Sequence, residues 1–583
     1  MLSPSAAQNG NGFLILDGGV SLIGIALAYA LPRVGSGFYS RIERAFKPLA
    51  AKKGLSVAVC GLLVILLRVA ILPIFPIPRP FVTDDFSFLF AAQTFASGRL
   101  ANPTPAIWRS FETIHITMKP TYMSMYFPGQ GLLLAAGKVL LGNPWFGVLA
   151  ASALMCAAIC WMLQAWLPPN WALLGGLIAV VRLGVFTCWT NTYHAAGSLA
   201  ALGGALVIGA APRLTKTARF RYGLPMGIGI AILILTRPFE GMLLCLPVVV
   251  LLVRWLMKGR NLPPWPVLLR RAALPVAVFA GTVVWLGYYD LKAFGNPLTL
   301  PYTVDRNTYA VAPYYIWQHP RPTPVYSNSV MQRFYTHDEY EFYAKMRTPG
   351  GFAAMTLLKV YLTFLFYAGF TLLLPLIMLR RVFLDKRLRF LVLCCLVLLA
   401  GMSIEIYLLP HYVAPFAAVF YAIGLQCMRH LRRVKSNGQP VGVALVRTMV
   451  LLIVVLAGLR VFSDRLHLGV PKEPTSGWNS TWFGPDHYGD ERASVLAELE
   501  RQPGPQLAIV RYGPGHDNLN EWVYNSPDID ASKVVWAREL DEADNRRLID
   551  YYRNRTVWLV EPDANPVKVV PYPAGKDGSA GER

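Results

Sequence analysis

Two adjacent carboxylates, Asp84 and Asp85, follow a long apolar run in a chain whose first 463 residues hold only thirteen acidic side chains. An acid pair at the margin of an apolar segment can take a proton from a hydroxyl or hold a metal ion. Both acids open the segment VTDDFSFLFAAQTF, just behind Thr83. Helix capping is the competing explanation, because carboxylates favour the positive end of a helix dipole. Thr83 is expected to satisfy the cap by itself, and acids beside a bilayer are costly unless put to use. The pair is therefore expected to do chemistry, as a catalytic base or a metal ligand.

Further polar groups recur beside the apolar runs. KPTYMSMYFPGQG (119–131) offers Lys119, Tyr122 and Tyr126, readable as substrate contacts or as an aromatic belt with a snorkelling lysine. TRPFEG (236–241) sets Arg237 and Glu240 on either side of a Pro-Phe turn, as an anion-binding pair or a structural ion pair. LLPHYVAP (408–415) supplies His411 and Tyr412, and WTNTYHAAG (189–197) supplies Asn191, Tyr193 and His194, the last read as a local hydrogen-bonding group. YGPGHDN (512–518) follows an expected strand, where either a ligand or a plain Gly-Pro turn would explain it. No Walker A loop, HExxH helix or GxSxG elbow is present.

The elements that must position these groups are mainly membrane helices. Hydrophobic residues make up 54% of the 583 and charged residues 15%. Apolar runs of about 17 to 25 residues, each able to cross ~30 Å of hydrocarbon, predict an α-helical polytopic membrane protein. Twelve spans are expected: 13–31, 55–75, 144–166, 171–188, 195–211, 223–236, 238–256, 272–292, 353–379, 390–408, 411–429 and 446–463. The run 130–141 reaches only about 18 Å and is expected to be re-entrant or interfacial. The first run, 13–31, lacks a basic lead and a cleavage site, so it reads as retained rather than as a signal peptide.

Charge orients the spans. The formal charge of +22 divides into 41 basic and 13 acidic residues in 1–463, against 14 and 20 in 464–583. The cations cluster at 33–53, 213–221, 254–271, 380–389 and 429–435, which the positive-inside rule puts in the cytoplasm. The long segments 76–143, 293–352 and 464–583 then lie on the extracytoplasmic side. Nucleic-acid binding is excluded as a reading, since no interleaved basic and aromatic surface accompanies the charge. All eight cysteines lie in apolar segments, so neither a disulfide framework nor a zinc site is indicated.

The expected domains are 1–54, an N-terminal helix and basic loop; 55–463, the membrane domain; and 464–583, a small α/β domain with a disordered tail beyond Pro573. In the last, a helix at 490–501, a strand at 507–512, a helix at 541–553 and a strand at 556–560 are expected. The Pro-, Tyr- and Trp-rich segment 293–352 reads as an ordered loop that would cover a site.

The acid pair in the first long loop, the turn Ser97-Gly98-Arg99-Leu100, and the Tyr-to-Pro-Gly entry into a short helix together resemble a known family. They look like the polyprenyl-phosphate-sugar-dependent glycosyltransferases of the GT-C fold, nearest the protein O-mannosyltransferase and lipid A aminoarabinose transferase relatives. The specific motifs lie in 82–131, and the topology extends the likeness over about 55–460.

The resemblance implies an inverting transfer of a sugar from a polyprenyl-phosphate carrier to an extracytoplasmic acceptor, by a multi-pass protein of the plasma (inner) membrane. Asp84 matches the family's leading acid and Asp85 its second, while Lys119, Tyr122, Arg237, Glu240, His411 and Tyr412 would contact substrate. Two departures stand out. His411 replaces an expected Arg, and Asn191, Tyr193 and His194 occupy a segment where relatives often carry another acid. No cofactor is called for, though a divalent cation at Asp85 stays an alternative. A lipid-linked-sugar transporter and a membrane scaffold are the competing functions.

Overall fold

The computed structural model describes residues 4–194, 196–216, 220–258, 262–407, 409–463, 465–468 and 489–573. The expected tail beyond Pro573 lies outside the described residues. Among the described residues helices dominate, and seven are long and apolar enough to cross a membrane: Lys53–Ala70, Trp145–Trp166, Gly197–Lys216, Pro238–Met257, Trp265–Phe294, Pro349–Tyr367 and Val441–Val461. Leu374–Leu384 and Arg389–Ile404 would make an eighth if taken together, but a 113° bend separates them. Many of these helices keep large apolar side chains exposed, such as Leu66, Val250, Val284, Leu357 and Val454, a surface that lipid tails would cover. The chain is an integral membrane protein.

Among the described residues, other expected runs form shorter or segmented helices. The run 171–188 becomes a helix at Pro169–Ala179 followed by a π-helical turn at Val180–Val185. The run 411–429 divides into Ala414–Phe416 and Ala417–Leu431, and Gly223–Thr236 has only 14 residues. The short helix after Phe127, Pro128–Leu141, also has 14 residues, about 21 Å of rise. Close glycine contacts seat it. A Cβ on Gly129 would lie 2.6 Å from the Leu235 carbonyl, and one on Gly137 would lie 2.4 Å from the Gly147 nitrogen.

At the C-terminal end, four strands form one sheet: β3 (Gln506–Val510), β4 (Val534–Arg538), β5 (Thr556–Glu561) and β6 (Lys568–Pro571), in the order β4-β3-β5-β6. β3 runs parallel to both neighbours, and β6 closes the edge antiparallel to β5. Helices Asp490–Arg501 and Glu542–Tyr551 flank it. A smaller pair, β1 (Ile116–Thr117) and β2 (Met123–Ser124), folds the first long loop back on itself.

The two regions interlock. Val82 bridges to Asn520, and Phe86 stacks on Tyr524 at 4.5 Å. Thr113 donates to the Glu521 carboxylate at 2.5 Å, which also meets Arg538 at 2.8 Å, both side chains being nearly inaccessible.

Candidate active site

Arg68 sets the approach to the acid pair. This buried cation near the end of Lys53–Ala70 donates to the carbonyls of Phe75 and Pro76 at 2.7 and 2.9 Å and to Asn191 Oδ1 at 3.1 Å. It thereby fixes the chain leading to Asp84 and gives Asn191 a structural partner. The helix Thr83–Ala96 then begins, with both acids in its first turn. Thr83 is not the cap. It is the first helical residue, and its hydroxyl meets His115 Nδ1 at 3.1 Å.

The acids have unequal surroundings. Asp85 is buried at 2% exposure, and its oxygens accept the Tyr193 N–H at 2.9 Å and the Phe81 N–H at 3.3 Å, with His194 Nδ1 at 3.4 Å. It ties the 191–194 segment to the first long loop. The side chain of Asp84 stays 24% exposed, accepts a hydrogen bond from Tyr126, and lies 3.5 Å from His115 Nδ1. Asp84 is the more exposed of the two carboxylates.

Electrostatics sharpen that difference. Burial works against ionisation of Asp84, but the His115 cation, helped by the Tyr126 hydroxyl, holds its carboxyl well below the usual carboxylate range. Burial likewise lowers His115, and Asp84 more than offsets this, so its imidazole is raised above the ordinary value. Burial and the Asp84 charge push the Tyr126 phenol far up, leaving it a proton donor at any working pH.

A buried cation faces this group. Arg237 leaves the end of Gly223–Thr236 and lies over the Tyr412 ring at 4.0 Å, with Glu240 at 3.8 Å. Burial opposes the Arg237 charge, but its anionic and phenolic surroundings, Tyr302 and Glu240 foremost, raise it further. Tyr412 stands 4.8 Å from His411, which meets His194 edge-on at 5.8 Å. Burial, then Arg237 and His194, push His411 well below its ordinary value. His411 is therefore neutral, with Nδ1 buried and unpartnered. It adds no charge to the site.

The second long loop completes the ring. Tyr302 sits edge-on to Tyr126 at 5.8 Å, and the backbone of Tyr314 and Ile316 pairs with Ile404 and Ile406, close before His411. Arg306 chelates Glu339 at 2.7 Å and pins this loop to itself.

Six of the expected residues thus come together: Asp84, Asp85, Arg237, Glu240, His411 and Tyr412. Two do not. Tyr122 is 2% exposed and packs on Phe90 at 4.3 Å in a hydrophobic cluster, and Lys119 lies over the Trp108 indole at 4.6 Å. Tyr122 and Tyr126 lie on either side of β2, and packing sends the Tyr122 ring onto Phe90 while the Tyr126 phenol donates to Asp84. Sequence reasoning missed His115 and Tyr302. A histidine within the loop that also carries the acid pair was the available signal for the first.

The donor set does not fit a divalent cation. Both Asp85 oxygens are occupied, Asp84 is held by Tyr126 and a cationic His115, and no group of three or more His, Cys, Asp or Glu among the described residues is placed to hold a metal ion.

Among known proteins, a family model described as the TgpA N-terminal domain matches residues 224–463. No curated protein matches the chain. Among solved structures, the chain is similar to ArnT from Cupriavidus metallidurans bound to undecaprenyl phosphate, at 14% identity and a TM-score of 0.48, covering 86% of this chain and 92% of that one. It is also similar to the oligosaccharyltransferase AglB from Archaeoglobus fulgidus in complex with an inhibitory peptide and a dolichol-phosphate, at 10% identity and a TM-score of 0.46, covering 87% and 69%.

Proposed function

We propose that the protein is an inverting glycosyltransferase that moves a sugar from a polyprenyl-phosphate carrier to a hydroxyl acceptor on the extracytoplasmic face. One observation carries this reading: a partly exposed, ionised Asp84 shares a tyrosine-lined ring with the buried cation Arg237. The two charges suit the two ends of the reaction. Arg237 receives the phosphate that departs from the anomeric carbon, and its position over Tyr412 orients the guanidinium. Asp84 holds the acceptor hydroxyl and takes its proton as the new C–O bond makes that oxygen acidic. A carboxylate kept this far below the normal range is a weak base at rest, so the proton moves late, once the sugar carries positive charge.

His115 keeps Asp84 ionised, Tyr126 orients it, and Asp85 fixes the helix start. The positive-inside charge pattern supports the outward orientation, with 464–583 on the same side as the site. Residues 1–54, 55–463 and 464–583 remain the proposed divisions of the chain.

Transfer of a radiolabelled sugar from its polyprenyl-phosphate form, followed in membranes, tests the reading. Asp84→Asn is expected to lower turnover by about 10²- to 10⁴-fold with normal membrane insertion. Asp85→Asn is expected to act mainly through stability, costing about 1–3 kcal/mol from weakened buried hydrogen bonds. Full transfer by Asp84→Asn would sink the assignment.

A further inference from the structure

A cleft of about 260 Å³ opens where the second long loop meets the C-terminal sheet. Residues 327–330 form one wall, and the carboxyl ends of β3 and β4 with the residues after them form the other. The chain leaves β3 for β4 on one flank, then crosses to β5 on the opposite flank. Loops that diverge past the carboxyl ends of parallel strands leave a crevice suited to ligands. None of the Asp84 and Arg237 group lines this cleft.

The lining balances donors against acceptors. Arg511 already meets Glu539 at 2.5 Å, and Arg538 meets Glu521 at 2.8 Å. Arg538 is only 2% exposed, yet its Nη1 has no hydrogen-bond partner. A buried donor left unsatisfied is unfavourable, and an acceptor placed beside it would relieve that cost. Asn328 spends its Oδ1 on the Met331 N–H, and its amide N–H reaches only Ser327 at 3.4 Å. Exposed Ser329 and the carboxylates of Glu539 and Asp541 complete the rim.

An anion would have to displace Glu539 from Arg511 and approach Asp541 against its charge. A neutral polyol can donate to those carboxylates while accepting from Arg538 and Asn328. We propose that this cleft binds a neutral saccharide unit. The wall is linked to the reacting centre: Ser327 donates to the Glu112 carboxylate, and Arg538 Nε reaches the Glu112 carbonyl at 3.4 Å. His115 follows three residues later, at most about 10 Å along extended chain. A saccharide in the cleft and a hydroxyl at Asp84 can therefore belong to one acceptor; that role rests on the transferase reading, whereas the binding does not.

The test uses the full chain in lipid nanodiscs, free of sugar-based detergent. Saturation-transfer NMR and calorimetry would probe a glucose, a mannose and an N-acetylglucosamine disaccharide, with inorganic phosphate as the anionic probe. At least one neutral disaccharide is expected to bind. Ser329→Trp, which fills the mouth, should weaken it at least tenfold, and Asp541→Ser, which preserves an N-cap for Glu542–Tyr551, should weaken it severalfold. Asp84→Asn should bind as the unmodified chain does.

The proposal is overturned if no disaccharide binds, if neither cleft variant changes binding, if Asp84→Asn alone abolishes it, or if phosphate competes. Saccharide binding without any lipid-linked transfer would overturn the transferase reading and leave the cleft standing. Transfer without cleft binding would overturn the cleft alone.

Discussion

Asp84 and His115 form a pair whose charges depend on each other, and their pH behaviour follows from the signs. Asp84 is depressed, so its contribution to stability is full above the unfolded value near ~4 and is lost as pH falls through its lowered value. His115 is raised, so its contribution is full below ~6.5 and is lost as pH rises through its folded value. Both are therefore fully present between roughly pH 4 and 6.5. Turnover is expected to hold through this window and to fall on the alkaline side as His115 loses its proton. In His115→Gln that alkaline limb should disappear from the pH–rate profile, with a lower plateau. An unchanged limb would assign it to another group. His411 behaves differently, since it is already neutral and its replacement by Gln should leave the profile's shape intact.

At the scale of elements, the site depends on how closely the short helix Pro128–Leu141 can approach its neighbours. This helix directly follows Tyr126, so any shift moves the phenol that holds Asp84. Its backbone touches that of the next helix at Gly137, where an added Cβ would meet the Gly147 nitrogen at 2.4 Å and the Pro144 carbonyl at 2.9 Å. Neither is a flexible side-chain end. Gly137→Ala is expected to destabilise by about 1–3 kcal/mol through overpacking. Gly281→Ala, with nothing within 4 Å of the new methyl, should be neutral or gain about 0.4–1 kcal/mol. Thermal unfolding of both variants in nanodiscs, with circular dichroism as the readout, checks the contrast.

For the whole molecule, the C-terminal sheet is part of the scaffold of the first long loop. Glu521 is the joint: it accepts from Thr113, Tyr512 and Arg538 and from the Val523 N–H. Glu521→Ala leaves Arg538 as a buried charge without its partner, a loss of about 3–5 kcal/mol. Faster hydrogen exchange at residues 112–115 is the expected signature, together with reduced turnover. Deleting 464–583 should likewise abolish transfer, because Val82 and Phe86 lose Asn520 and Tyr524 on either side of the acid pair. Protection at 112–115 that survived Glu521→Ala would show that the loop stands without the sheet.

Local composition determined a good deal by itself. Hydropathy is additive along the chain, so the long apolar runs were legible as membrane helices, and the acids of the first long loop stood out because so few accompany them. Strand and helix periodicity likewise located the elements near 490–501, 506–510, 542–551 and 556–561. Tertiary contacts decided the rest. Whether a carboxylate is a tie or a reactive group depends on which N–H groups converge on it, and those facing Asp85 come from Phe81 and from Tyr193, 108 positions away. The contacts of Arg237 with Tyr412 and of His411 with His194 were likewise invisible in sequence, since the chain brings them together only in the fold. Tyr122 and Tyr126 read alike as letters four residues apart, and only packing sent one into the core and the other to Asp84.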